Sequence, residues 1–78
     1  MNKLKQIFAT VLGLGEDQVI GSLSPDNCPS WDSLNSIVLV TEIEKGFSIK
    51  FTFDEAMAVK NFDDAIALVS SKGGKLNE

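Results

Sequence analysis

The chain has 78 residues, enough for one domain and too few for two, with 44% hydrophobic content and a formal net charge of −4. It has no histidine, a single cysteine, and seven cationic residues that are all lysine. These facts disfavour a nucleic-acid partner, exclude histidine-based catalysis and histidine metal sites, exclude an intrachain disulfide, and leave no arginine fork for bidentate phosphate recognition. An acidic balance suits partners with basic patches, or serves solubility alone. A domain this small buries about 60–65% of its unfolded surface, so modest stability is expected. Cys28 has a loop position and no base to activate it, so a passive thiol is the favoured reading over a nucleophile. No apolar run approaches the roughly 18 residues of a membrane span. Met1-Asn2-Lys3-Leu4 lacks the apolar core of a signal peptide. The expectation is a complete, cytoplasmic, monomeric protein of one domain over 1–78.

The first predicted element is a helix over about 2–14. Leu4, Ile7, Phe8, Val11 and Leu12 recur at helical spacing, and Gly13 and Gly15 end the run. A long loop follows to Asp32, dense in Gly, Ser, Pro, Asp and Asn. A connection of that length packs or serves a function, and Val19, Ile20, Leu23 and Trp31 are the expected anchors to the core. The second helix is predicted over about 33–46. Its apolar arc of Leu34, Ile37, Leu39, Val40, Ile43 and Phe47 is wide, which predicts neighbours on several sides. Asn35, Val38, Glu42 and Lys45 lie opposite, and Gly46 is the expected left-handed stop. Phe47-Ser48-Ile49-Lys50-Phe51 alternates like a strand, but nothing else in the chain could pair with it, so an extended connection is predicted. Thr52 with Glu55 has the capping-box spacing and predicts a short helix over about 53–58. Asn61 is a good cap for a last helix over about 62–72, with Asp63 and Asp64 in the first turn and Phe62, Ala65, Ile66 and Val69 as its stripe. A frayed tail over 73–78 is expected. The fold class is therefore all-α: three main helices and a short one.

Chemistry concentrates at Trp31-Asp32-Ser33-Leu34, where the polar loop meets the apolar helix. Helix N-termini expose N–H groups and a positive dipole end, which stabilise a negative charge such as a phosphodiester. A serine there presents its hydroxyl to solvent. Two readings stand together. Asp32 or Ser33 caps the helix, or Asp32 caps and Ser33 is modified.

At this point the sequence resembles the acyl carrier protein family. Asp32-Ser33-Leu34 matches the family's attachment site. Glu42-Ile43-Glu44-Lys45-Gly46-Phe47-Ser48-Ile49-Lys50-Phe51 matches its acid-rich helix end and following Phe-x-Ile stretch, and Asn61-Phe62-Asp63-Asp64-Ala65-Ile66 its final helix start. The resemblance covers almost the whole chain and implies a small four-helix acyl-carrier-like bundle. It implies no catalysis by the chain itself. It implies a covalent 4'-phosphopantetheine arm on Ser33, drawn from coenzyme A, flanked by Asp32 and Leu34. Implied partners are a phosphopantetheinyl transferase and enzymes that load and transfer acyl or aminoacyl groups.

The resemblance also implies a cavity between helices for the acyl chain, and Ile37, Val40, Phe47, Phe51, Val59 and Ile66 are its expected lining; without cargo these are core residues. Four phenylalanines, at 47, 51, 53 and 62, would fill space there and favour short cargo or none held inside. Asn35, Val38, Thr41, Glu42, Glu44 and Lys45 are the expected partner contacts. The sequence departs from the family pattern at Ser30 and Trp31, before the attachment site, and at Asn35, Val38 and Lys45, where carriers of general fatty-acid biosynthesis usually have acids. That departure implies a dedicated partner set in a specialised lipid or polyketide pathway. An aminoacyl or peptidyl carrier, and an unmodified helical interaction domain, are the alternatives.

Overall fold

The computed structural model describes residues 2–74. Among these residues there are four α-helices and no strand: α1 Asn2–Leu12, α2 Ser33–Phe47, α3 Phe53–Met57 and α4 Phe62–Ser71. The all-α architecture read from the periodicity is the one observed.

Helix α1 buries Leu4, Phe8 and Leu12 along one stripe, with Ile7 and Val11 half-buried beside them. It ends two residues before the predicted boundary. Gly13 turns left-handed at φ +69°, and the Leu14 N–H returns to the Ala9 carbonyl at 2.9 Å. That pair of features is a Schellman closure.

The core is organised around one ring. Phe8 of α1 meets the Trp31 ring edge-on at 5.3 Å and the Phe62 ring of α4 at 4.9 Å. Trp31, Val19 and Leu23 are buried and anchor the long loop as expected, but Ile20 is exposed, so the proposed fourth anchor is not one. The loop is ordered by local bonds. Glu16–Gln18 forms a 3-10 turn, and Asn27 Oδ1 accepts the Ser24 N–H at 3.0 Å. Its carbonyls also serve α4. Leu23 O accepts the Phe62 N–H at 3.0 Å and Gly21 O the Asp63 N–H at 3.1 Å. Asn61 Oδ1 takes the Asp64 N–H at 2.8 Å. Three N–H groups that the first turn of a helix leaves without intrahelical partners are thus satisfied.

Helix α2 corrects two expectations. Gly46 is not its stop. It remains helical, and a Cβ there would come within 3.2 Å of Ile7 Cδ1, while its carbonyl accepts a hydrogen bond from Lys3 Nζ at 2.8 Å. Gly46 therefore serves the close approach of α1, and the left-handed position falls to Ser48 at φ 56°, with the Ile49 N–H bonded to the Glu44 carbonyl. Nor is the apolar arc covered all round. Leu39 and Ile43 are buried, whereas Leu34 and Ile37 are exposed. The physical reason is α3, which has only five residues and buries none of them. It is too short to roof the outer side of α2.

Thr52 and Glu55 form the predicted capping box, at 3.1 and 2.8 Å. Helix α3 ends at Met57, one residue before the expected boundary. Helix α4 buries Phe62, Ala65 and Val69, with Ile66 half-buried. It stops at Ser71, and Gly73 and Gly74 do not fray. Gly73 is left-handed, and the N–H groups of Gly73 and Gly74 return to Ser70 and Val69 in a second Schellman closure. The rest of the tail, 75–78, lies outside the described residues.

Serine in the left-handed region carries a steric cost of about 1 kcal/mol that glycine avoids. Ser48→Gly is expected to stabilise the fold by roughly that amount, read as an increased urea midpoint with unchanged slope. An unchanged or lowered midpoint would mean that the turn is held by something other than its backbone conformation.

Candidate functional site

Ser33 is the first residue of α2, and the cap belongs to its neighbour. Asp32 is extended, and its Oδ1 accepts the Asn35 N–H at 2.9 Å. The Asp32 carbonyl accepts the Ser36 N–H, also at 2.9 Å. Ser33 is exposed, and its hydroxyl makes no hydrogen bond to the described residues. Asp32 supplies the cap, which leaves the serine oxygen accessible at a helix N-terminus, an arrangement common to both readings open in the sequence.

The turn that presents Ser33 is held from behind. Trp31 Nε1 donates to Ser36 Oγ at 3.0 Å, fixing the indole against the first turn of α2. Asn35 Nδ2 donates to the Ser30 carbonyl at 2.7 Å, and Ser30 Oγ donates to the Leu12 carbonyl at 2.7 Å. The end of α1 is thereby tied to the start of α2 through two side chains. Cys28 is buried with its Sγ 3.3 Å from Ser30 Oγ. The one Ser30 hydroxyl proton is directed at Leu12, so the thiol is the donor in that contact. Asn35 was expected among the partner contacts; its side chain is half-buried and engaged with the loop instead. Nothing in the spacing distinguishes the two roles, because an asparagine on an outer helical face reads as a solvated residue.

Beneath the turn lies a partly open cavity of about 180 Å³ between α2, α3 and α4. Its wall includes Phe8, Trp31, Leu39, Ile43, Phe51 and Val59. An apolar cavity of about 150 Å³ holds a benzene ring, so this one has room for a short hydrocarbon. Outside it, an open groove of about 550 Å³ starts at Ser33 and runs between α2 and α3 past Ile37, Val40, Phe53 and Met57. Ser36, Val40, Phe51, Ala56 and Met57 border both spaces, so the two adjoin.

The predicted lining divides accordingly. Val40, Phe51 and Val59 line the inner cavity, and Ile37 lines the outer groove. Phe47 and Ile66 line neither. Phe47 lies under the Lys3 ammonium, 5.5 Å from its ring centre, and Ile66 packs against the core. Two expected space-fillers are also elsewhere, since Phe53 is exposed and Phe62 belongs to the Phe8 cluster. Sequence reasoning missed Phe8, Trp31, Leu39, Ile43 and Met57 as lining. Phe8 and Trp31 could have been found only by knowing that the loop folds back across α1.

Polar clasps hold α3 over this space. Glu44 accepts the Phe51 N–H at 2.8 Å, and Glu55 pairs with Lys72 at 2.8 Å. The hydrogen bond from Lys72, then that from the Thr52 N–H, holds the Glu55 carboxyl below the usual glutamate range. Glu44 is therefore half-buried and tied to the connection, not free for a partner. Glu42 and Lys45 are exposed, 3.9 Å apart. Val38 and Thr41 are exposed, with Thr41 Oγ1 bonded to the Ile37 carbonyl.

Two outcomes follow. Aspartate at position 35 would set carboxylate oxygen against carbonyl oxygen, so Asn35→Asp is expected to cost about 1–3 kcal/mol above the carboxyl pKa, while acid conditions narrow the difference. Equal unfolding midpoints for Asn35→Asp and parent at neutral pH would discard this role. For Glu55, a depressed folded pKa contributes stability above the unfolded value, and that stability is lost as pH falls through the folded one. Lys72→Met should therefore flatten the acid limb of the melting-temperature profile, and an unaltered limb would exclude the clasp.

No protein-family model matches the chain. It is 40% identical over 65 residues to an acyl carrier protein of Karelsulcia muelleri (strain GWSS), covering 83% of this chain and 78% of that protein. It is 31% identical over 70 residues to an acyl carrier protein of Guillardia theta, covering 90% and 86%. The fold superimposes on the solution structure of holo acyl carrier protein from Geobacter metallireducens with a TM-score of 0.79 and 29% identity, over 92% of this chain and 86% of that one. With relatives of that identity spanning most of both chains, this protein belongs to the acyl carrier protein family and is a carrier, not an enzyme.

Proposed function

We propose that Ser33 carries 4'-phosphopantetheine and that the chain presents acyl groups on that arm to partner enzymes of a specialised lipid or polyketide pathway. One observation carries the attachment site. The Ser33 hydroxyl stands exposed and unengaged at the N-terminus of a 15-residue helix whose cap is already supplied by Asp32. The residues present fit the group. A phosphodiester on Ser33 Oγ would lie at the positive end of the α2 dipole, and Ser33 is one of the residues lining the groove between α2 and α3. When bound, the arm supplies a terminal thiol for thioester attachment of the cargo.

In the loading reaction the Ser33 oxygen forms the new bond to the pantetheine phosphate of coenzyme A. Its proton passes to a base of the transferase, and adenosine bisphosphate leaves. This chain contributes orientation alone. Asp32, Asn35 and the Trp31–Ser36 bond fix the turn so that the hydroxyl faces solvent. The cavity of about 180 Å³ supports short acyl cargo, and the uncharged stretch after Ser33 supports a dedicated partner set.

Incubation with coenzyme A and a broad-range phosphopantetheinyl transferase should add the mass of one phosphopantetheine to the parent and nothing to Ser33→Ala. The alanine variant should keep its helical circular dichroism, because no hydrogen bond is lost. Labelling of the alanine variant would place the site elsewhere, and an unlabelled parent would favour a helical interaction domain without the arm. Intact mass after exposure to cell extract then separates acyl from aminoacyl cargo.

A further inference from the structure

We infer that Trp31 sets how long an acyl chain this protein can hold inside, by closing the inner end of the cavity between α2, α3 and α4. The inference rests on the carrier reading above and deepens it by naming the residue that fixes cargo length.

Cargo attached through Ser33 arrives from the groove. Ser36, Val40, Phe51, Ala56 and Met57 border both the groove and the cavity, so they form the entry side. Trp31 and Phe8 border the cavity and not the groove, and both are buried. Phe8 belongs to the stripe of α1 and is shared with Phe62 of α4. Trp31 comes from the long loop, at a position where the sequence departs from the family pattern. It has the largest side chain of the whole lining, so it takes up the most space that cargo could otherwise fill.

The indole is held at three points. Its Nε1–H donates to Ser36 Oγ at 3.0 Å, and its ring meets Phe8 at 5.3 Å with the planes 77° apart. Its backbone N–H donates to the Cys28 carbonyl at 2.9 Å. Ser36 belongs to the entry side, so the first of these bonds ties the inner wall to the first turn of α2. A chain that pushed the ring aside would leave a buried N–H unpaired and break an aromatic edge contact. Burying one more methylene gains less than those two losses together. The ring therefore stays and the chain stops against it. An apolar cavity of about 150 Å³ holds benzene, so this one, of about 180 Å³, takes acyl chains of about six carbons.

The test loads the full chain from butanoyl-, hexanoyl-, octanoyl- and decanoyl-coenzyme A with a broad-range phosphopantetheinyl transferase. Each melting temperature is compared with that of the same protein carrying the bare arm. Cargo held only by the folded state raises that temperature as more of it is buried. In the parent the increase should grow by a few degrees from butanoyl to hexanoyl and then stay level to decanoyl. In Trp31→Phe it should still grow at octanoyl, and in Trp31→Leu at decanoyl, because each variant frees more of the inner end. Both substitutions lower the baseline stability, so only shifts within one variant are read. Should Trp31→Leu fail to fold, Trp31→Phe and the emission of the parent decide. Trp31 is the one tryptophan of the chain and there is no tyrosine, so indole emission reports this wall alone. Hexanoyl cargo should shift that emission relative to the bare arm. A parent whose melting temperature keeps rising to decanoyl overturns the inference. So does a plateau at hexanoyl in every folded variant, or an emission that hexanoyl cargo leaves unchanged, and each leaves the Ser33 assignment intact. A parent that accepts no arm removes the carrier reading and this inference with it.

Discussion

The Phe8 ring is the contact on which the rest of the structure depends. It joins three segments that are distant in sequence: α1, the end of the long loop through Trp31, and the start of α4 through Phe62. Edge-to-face pairs contribute about 0.5–1.5 kcal/mol each beyond their buried area, a substantial share of the roughly 5–15 kcal/mol that holds a domain together. Trp31 lies two residues before Ser33 and bonds Ser36 on the far side of it. The position of Ser33 is therefore set from the centre of the core through Trp31 and Ser36. The same two rings, Phe8 and Trp31, wall the inner cavity, so one cluster sets both where the serine stands and how much space lies beneath it.

Helix α3 is built on a different principle. It buries no residue and is held by a capping box, the Glu44–Phe51 bond and the Glu55–Lys72 pair. Partly exposed polar contacts of this kind contribute little individually. Separating α3 from α2 therefore breaks a few weak bonds and leaves the Phe8 cluster whole. The residues shared by cavity and groove, Val40, Phe51, Ala56 and Met57, lie at that weakly held boundary. Local stability is therefore low there beside a more stable core.

Element existence and caps were legible in the sequence because they rest on local rules. The stripe of α1, the Thr52–Glu55 box and the Asn61 cap each involve residues three or four apart, and each is present. The errors have a common origin in tertiary packing. Gly46 looked like a helix stop, but it stays helical where α1 passes close, a Cβ there falling tight against Ile7, and the left-handed turn comes two residues later at Ser48. Leu34 and Ile37 looked like core because periodicity records that a face is apolar, not whether anything covers it. Ile20 failed as an anchor for the same reason. Asn35 was misplaced because a side-chain bond to a loop carbonyl leaves no mark in the spacing. At the site itself, Ser33 and Asp32 were legible from their position at a helix start, whereas the cavity wall was not, since it is assembled from residues of the loop and all four helices.

The two halves of α2 then divide the work. Its inner residues, Leu39 and Ile43, complete the core, and its close crossing with α1 depends on Gly46 near the far end. Its N-terminal half is anchored only through Trp31, Ser36, Asn35 and the Asp32 cap, and presents hydrocarbon to solvent. Leaving Leu34, Ile37, Phe53 and Met57 in water forgoes burial that a longer α3 could have provided. A chain with so small a core sacrifices stability by that arrangement. Ile37, Phe53 and Met57 border the groove that Ser33 also lines, while every side chain of the Phe8 cluster stays buried. Packing alone would favour covering those four residues, so their exposure follows from the short reach of α3 and not from any lack of hydrocarbon on α2.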